Sequence, residues 1–367
     1  MEVRTVISPM RDAKRLAGVL AVAVCSIASG VWSAGSAQAI EDVPTPLRPA
    51  TAQDMTAGDY ILDFGWFHAQ DPHGLGLFQF TYLNHGMAGV KWGYMNNLNL
   101  NDPQGNYRNL VEYPASPVHV TTAPTIDSAI LHFAWDDDKQ AWHLTYDNMD
   151  TVADLWYTNT HPGAAMDPVD WDGTKVFWAS SIATADINGR VKFPGHSEFT
   201  EVNHWVGEQE RMAGGFLLGP GHVGYDYAQS GNPDGSADQL FVFPEADGKT
   251  RGVLAHTAAD GKLTMCEPKS YEQADWDSIS SPAEQIGPFD FPRTVSASCD
   301  DLSIAFYVDQ PHLFPLNIQL STTTMSQGHS SVPGSRATIQ HARDVGTGFN
   351  TGLPLYGFPN QPPTYWN

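Results

Sequence analysis

From Asp59 to Phe358 the sequence alternates short runs of aromatic and β-branched residues with Gly, Pro, Asn and Asp punctuation, and no apolar run recurs at helical spacing. Such a chain has few ways to fold. Runs this short expose an apolar face and both edges unless many of them pair, so the pattern specifies an all-β protein. Residues 60–68, 75–83 and 90–100 are the first strands, divided by Asp71-Pro72-His73-Gly74 and by a turn over 86–89. Residues 110–120 follow, then a hairpin of 129–135 and 142–147 around the solvated turn Asp136-Asp137-Asp138-Lys139. Residues 158–174 read as a Pro/Gly/Asp loop, and 176–182 and 190–193 as strands joined by Asn188-Gly189, the pair that a hairpin turn favours. Further on, 239–243, 252–256 and 263–266 form a meander with Asp247-Gly248 and Asp260-Gly261 at its turns. The acidic, Pro-containing segment 267–292 reads as a loop or short helix covering a sheet edge, and 294–298, 302–308, 316–321, 337–343 and 349–358 complete about eighteen strands. An open sheet of that size leaves edges exposed, and closure into one or two barrels removes them.

The residues ahead of this pattern have a different character. Arg4, Arg11, Lys14 and Arg15 precede an apolar run over 16–27, and Ala37-Gln38-Ala39 supplies the small-x-small pattern that signal peptidase cuts. Residues 1–39 therefore read as a secretory signal with cleavage after Ala39, and 40–58 as an extended lead-in. The apolar run is too short for a permanent membrane span. A formal net charge of −22 repels nucleic acid and anionic membrane, which excludes both as partners and suits a neutral or apolar small molecule. Cys266 and Cys299 follow the signal as an even pair, which in an exported protein reads as one disulfide; two buried thiols are the alternative.

The densest chemistry lies in residues 193–229, FPGHSEFTEVNHWVGEQERMAGGFLLGPGHVGYDYAQ. Strict alternation puts Phe199, Glu201, Asn203 and Trp205 on one face of a strand and Thr200, Val202, His204 and Val206 on the other, so neither is a plain hydrocarbon face. A core on one side and a lined cavity on the other would explain this, as would a polar surface strand. His204, with Glu201, Glu208 and Glu210 close by, supplies groups able to act as acid and base once burial and mutual charge separate their pKa values. Asp226, between Tyr225 and Tyr227, would be held protonated by desolvation among aromatic rings, as acid catalysis on an alkene requires. A structural hydrogen bond is the alternative role for each. There is no G-x-S-x-G elbow, P-loop, H-E-x-x-H or C-x-x-C, so serine-hydrolase, nucleotide and zincin chemistry has no local support. The 14 histidines do not group two to a strand beside a carboxylate, and the acidic stretches 170–173 and 234–238 read as turns, so neither a metal nor a cofactor is expected.

In their order along the chain these features resemble the AttH-type lipocalin-like family, which includes the hydroxyneurosporene synthase (carotenoid hydratase) enzymes. That family carries D-H-x-W-G at the end of a strand, where this chain has Asn203-His204-Trp205-Val206-Gly207, and further on G-W-D-W, where it has Gly224-Tyr225-Asp226-Tyr227. Gly65-Trp66-Phe67 and Phe78-Gln79-Phe80-Thr81-Tyr82 are similar to the family's opening hairpin, and Gly346-Thr347-Gly348-Phe349 to its closing strand. The family's acid is Asn203 here and its motif tryptophan is Val206, whereas His204 and Asp226 match.

The resemblance implies two lipocalin-like (calycin) barrels or strongly curved antiparallel sheets, over 59–190 and 191–367, with an apolar ligand cavity near their junction. It implies an exported enzyme acting on an apolar isoprenoid or aromatic molecule by cofactor-independent addition, elimination or isomerisation, of hydratase/lyase or isomerase type. Asp226 and His204 would handle protons with Glu201 as a reserve acid, while Asn203, Trp205, Tyr225, Tyr227 and Trp66 would hold the substrate, their rings stabilising a developing carbocation. A non-catalytic carrier with the same cavity is one alternative. A carbohydrate-active or carbohydrate-binding protein, drawing on the 11 tryptophans, is another.

Overall fold

The structure is a computed structural model that describes residues 62–344, apart from 75, 88–89, 113–114, 117, 123, 172–173, 215–223, 245–249, 281–288 and 317–320, together with residues 364–366. The expected signal and lead-in, the Asp247-Gly248 turn, part of the 316–321 strand and the strand over 349–358 lie outside the described residues. All the described elements are strands. They are β1 (Leu62–Gln70), β2 (Leu77–Met87), β3 (Val90–Asn101), β4 (Tyr107–Glu112), β5 (Val118–Thr122), β6 (Thr125–Ser128), β7 (Leu131–Asp136), β8 (Ala141–Asn148), β9 (Thr151–His161), β10 (Ala165–Trp171), β11 (Thr174–Lys192) and β12 (Thr200–Gly214). They continue as β13 (Gly224–Gly231), β14 (Ala237–Pro244), β15 (Thr250–Thr257), β16 (Leu263–Cys266), β17 (Ser270–Ile279), β18 (Phe289–Ser298), β19 (Ser303–Leu316), β20 (Ser321–Ser330), β21 (Arg336–Asp344) and β22 (Thr364–Trp366).

These strands form two antiparallel sheets. The first has the order β22-β4-β3-β2-β1-β12-β11-β9-β8-β7-β6-β5 with β10 also paired to β11, and the second has the order β16-β15-β14-β13-β21-β20-β19-β18-β17. Both curl strongly, as their cores show. One cluster draws Phe67, Phe80, Leu98, Phe133, Tyr157 and Trp205 from a single face of strands spread right across the first sheet, which can meet only if the sheet wraps around them. Leu240, Leu254, Phe291, Phe306 and Ile339 do the same in the second sheet. Its two edge strands, β16 and β17, are consecutive in the chain, and the Cys266–Cys299 disulfide fastens the end of β16 to the turn after β18. A third core lies where the outer faces of the sheets meet: Trp66, Met95, Trp178 and Met212 come from the first sheet and Tyr225, Tyr227, Phe241 and Met325 from the second. Strands at this junction are covered on both sides, and β13 is buried at every position. The architecture is thus the expected one of two strongly curved antiparallel sheets.

Several local expectations change. The 158–174 loop is largely strand, since β9 runs to His161 and β10 covers Ala165–Trp171. Asn188-Gly189 is no hairpin turn but lies inside the 19-residue β11. Gly189 adopts φ 142°, and a Cβ there would come within 2.0 Å of the Asp154 carbonyl oxygen, so the glycine serves close strand approach rather than chain reversal. The acidic segment 267–292 contains a full strand, β17. The chain also changes sheet later than the expected boundary between residues 190 and 191: β12 sits between β1 and β11 in the first sheet, and β13 is the first strand of the second.

The disulfide closes a loop with a sequence separation of 33 and stabilises the fold chiefly by restricting the unfolded chain. Replacing both Cys266 and Cys299 by serine is expected to cost about 2–4 kcal/mol. Urea denaturation followed by tryptophan fluorescence measures it, and an unchanged midpoint would show that the bond does not stabilise the second sheet.

Candidate active site

β12 departs from strict alternation at one point, and the departure decides which side chains enter the interior. His204 has φ 54°, and the pairing with β11 slips between Ile187 and Gly189, so that Asn203 and His204 together oppose Asn188. The Asn188 Oδ1 accepts the His204 backbone N–H at 3.0 Å, which holds this β-bulge. Val202 and Trp205 consequently share the first core, while Glu201, Asn203 and His204 face water. The His204 side chain is 80% exposed and its Nδ1 pairs with Asp186 at 3.1 Å. The sequence-predicted set is therefore divided: His204, Glu201 and Asn203 lie on the outer surface, Trp205 in the first core, and neither His204 nor Glu201 is brought to Asp226.

Beyond the bulge, β12 turns Glu208, Glu210 and Met212 toward the second sheet. Trp66 is register partner to Glu210 and to Thr81, and His68 to Glu208 and to Gln79, so these side chains form two adjoining rows across β2, β1 and β12. Facing them, Tyr227 lies 5.7 Å from Trp66 and 6.1 Å from Trp178 between ring centroids, and Trp178 stacks on Phe241 at 5.1 Å. Trp66, Tyr225 and Tyr227, three of the predicted substrate-holding residues, do meet here.

Two carboxyl groups sit inside this aromatic wall. Glu208 and Glu210 are buried, Tyr227 Oη donates to Glu208 Oε2, and Trp178 Nε1 donates to Glu210 Oε2. Burial pushes the Glu210 carboxyl up to about 8, against the opposing effect of hydrogen bonds from Trp178 and Tyr227. Glu208 is held well above the usual carboxylate range by burial and then by the neighbouring charge of Glu210. Tyr227 is likewise raised well above a normal phenol, first by burial. His68 is neutral, pushed down to about 3 by burial, and its Nε2 lies 2.7 Å from Thr338 Oγ1 across the junction. At neutral pH the site thus presents carboxylic acid protons, a phenol and indole rings in a desolvated setting, a combination suited to protonating a carbon or carbonyl and stabilising the resulting positive charge.

Asp226 occupies the opposite face of β13, inside the second barrel. Its Oδ1 lies 2.5 Å from His341 Nδ1, Gln273 Nε2 donates to Oδ2 at 2.8 Å, and Tyr271 Oη also donates to Oδ2. Trp276 and Phe289 flank His341 at 5.7 and 5.8 Å. The imidazole beside Asp226 is therefore His341, far along the chain and outside any motif. A separate cleft of about 280 Å³ between Ile130, Tyr146, Ala153, Arg190 and Phe199 lies on the first sheet away from both carboxyl sites. The Glu208-x-Glu210 pair stood in the central stretch from the start; two acids at i and i+2 on a strand share a face, and only their burial was hidden.

No family model matches the sequence, and no curated protein is similar to it. Solved structures are similar in fold. A protein of Nitrosomonas europaea described as a candidate AttH superimposes with a TM-score of 0.55 at 13% identity, over 82% of this chain and 98% of the other. CghA, solved with Sch210972, gives 0.54 at 11% identity over 78% and 88%. Kievitone hydratase from Nectria haematococca gives 0.49 at 10% identity over 84% and 94%. The fold is that of the AttH-type lipocalin-like proteins, as the sequence resemblance implies.

Because Glu210 has a folded pKa raised from 4.5 to about 8, the folded state holds a proton that the unfolded chain releases between those values. That contribution to stability is complete below the unfolded value and is lost as pH rises through about 8. Glu210 is expected to make stability fall across this window by up to about 1.4 kcal/mol per pH unit, the raised Glu208 adding to the fall in the same direction, and Glu210→Gln to reduce the slope. Urea melts at a series of pH values measure the slope; an identical slope in wild type and variant would mean that Glu210 is ionised in the fold.

Proposed function

We propose that this protein is an enzyme that moves protons on an apolar small molecule, catalysing an addition, elimination or isomerisation of hydratase/lyase or isomerase type without a redox cofactor. The observation that carries this reading is the Glu208–Glu210 pair: two carboxyl groups kept protonated by burial, set against Trp66, Trp178 and Tyr227 at the junction of the sheets. The Glu210 carboxyl gives its proton to an alkene or enol carbon, and the cation that forms lies against indole and phenol faces. The resulting carboxylate then takes a proton from the adjacent carbon, completing an isomerisation, or from an attacking water, completing a hydration. CghA, of the same fold, was solved with the small molecule Sch210972, which supports a small-molecule ligand for this chain.

A second reading keeps the sequence-predicted acid. Asp226, with His341 at 2.5 Å and Tyr271 and Gln273 as further donors, would transfer the proton inside the second barrel instead. The disulfide, and the lack among the described residues of any helix long and apolar enough to cross a membrane, are compatible with the export expected from residues 1–39.

The test uses whatever apolar molecule copurifies with the protein. Incubated in D₂O, that molecule should gain deuterium when wild-type protein is added, read by mass spectrometry. Glu210→Gln and Glu208→Gln should each slow the exchange by about 10²–10⁴ with binding kept within a few-fold, whereas Asp226→Asn and His204→Ala should leave it unchanged. Loss in Asp226→Asn with normal exchange in the glutamate variants would transfer the site to the second barrel. Binding with no exchange in wild type would make the protein a carrier.

A further inference from the structure

The junction is graded along its strands. At one end it is lined by Leu83, Met95, Met212 and Trp178, and two residues further along by Thr81, Trp66, Glu210 and Ser180. The next row is Asn109, Asn99, Gln79, His68 and Glu208. The second sheet follows the same gradient, from Phe243 and Tyr225 through Phe241, Tyr227, Gln340 and Met325 to Gln239, Gln229, Thr338 and Gln327. Aromatic and thioether groups thus give way to amides, and the two acids sit on the border.

On that border five buried polar atoms have no hydrogen-bond partner among the described residues: Trp66 Nε1, His68 Nδ1, Gln79 Oε1, Thr81 Oγ1 and Glu208 Oε1. They belong to three adjacent strands and two adjacent rows, so they span about 10 Å, two inter-strand spacings. The amides at the far end of the first sheet's polar row are satisfied, whereas across the junction Gln239 Nε2 and Gln327 Nε2 also lack a partner among the described residues. Asn99 and Asn109 bond one another at 2.6 Å and Asn97 bonds Asn109 at 3.1 Å, while His68 reaches Thr338 through Nε2 alone. Within these two rows of the first sheet the unmet groups lie on the strands beside the acids, and they include a donor, an acceptor and a hydroxyl able to be either.

Resting on the reading of the junction as the ligand site, we infer that its ligand carries an oxygen-bearing head group, a hydroxyl or carbonyl attached to an apolar body, rather than being a bare isoprenoid hydrocarbon. Thr81 and Gln79 are the residues that select it. The apolar body lies against Trp66, Trp178, Met95 and Met212, and the head group meets Thr81, Gln79 and Glu208. A hydrocarbon would leave all of these polar atoms buried and unpaired, and each hydrogen bond so lost lowers affinity by a factor of about ten or more. The same placement brings the head group beside the acidic proton, where an oxygen substituent polarises the carbon framework for proton transfer.

Naphthalene and 2-naphthol test this, since they share a ring system and differ by one hydroxyl. In equilibrium dialysis against the full chain, 2-naphthol should bind at least tenfold more tightly, against the order of their hydrophobicities. Thr81→Val, which keeps the shape, and Gln79→Leu should each reduce that ratio to about one or invert it, with near-ultraviolet circular dichroism unchanged. Equal or tighter binding of naphthalene to wild type would overturn the inference and show that the polar atoms are satisfied without the ligand. A preference that survives both substitutions would overturn it too, placing the hydroxyl elsewhere. If neither probe binds, the junction fails as a ligand site and the proposed function falls with it. A flat ratio together with Glu210-dependent deuterium exchange would sink the head-group inference alone.

Discussion

A carboxylate taken out of water loses solvation that neutral hydrogen-bond donors replace only in part, and two carboxylates side by side repel as well. Glu208 and Glu210 meet both conditions on one strand, with the phenol of Tyr227 and the indole of Trp178 as their donors. The arrangement is sustainable because the acids stay protonated. A neutral acid can be packed between two sheets almost as an amide is, so the outer faces of the sheets close around Trp66, Tyr227 and Phe241. The same neutrality leaves a proton available where water is excluded, and the chemistry proposed for the site follows from the way its packing is made tolerable.

How those acids come to face inward depends on an irregularity rather than on the regular period. The bulge at Asn203-His204 adds a residue to β12 opposite Asn188, with His204 in the left-handed region and its N–H taken by the Asn188 side chain. Trp205 is thereby returned to the first core, Gly207 packs against Ile187, and Glu208 and Glu210 are aimed at β13. Without the extra residue every side chain beyond it would exchange faces. The carboxyl pair would then lie in the hydrocarbon interior of the first barrel, and Trp205 would face the solvent.

β13 divides two chemistries. Tyr225 and Tyr227 complete the aromatic wall at the junction, while Asp226 between them enters the second barrel and meets His341, Tyr271 and Gln273. Tyr271 and Gln273 come from the edge strand β17, so the carboxyl ties that edge across the barrel interior to the middle of the sheet. One strand buried on both faces can therefore serve two sites, and adjacency in sequence does not place residues in the same one.

The fold class, the strand-rich central stretch and the acidic residues within it were legible from period and punctuation alone, because alternation and turn chemistry are local properties of the chain. The Cys266–Cys299 bond belongs to that legible part. Asn188-Gly189 misled, since the dipeptide that favours a tight turn equally permits the close strand approach that β11 makes with Asp154. His204 misled because one bulge reverses facing, and the cost of a bulge is settled by a partner strand distant in sequence. His341 was invisible for a similar reason: its pairing with Asp226 spans 115 residues and arises only when β21 lies beside β13. The sequence by itself determined which residues could alternate, turn and ionise. The tertiary structure alone decided which were dry and which faced each other, because burial and register are set by strands that meet only after the sheets have curled.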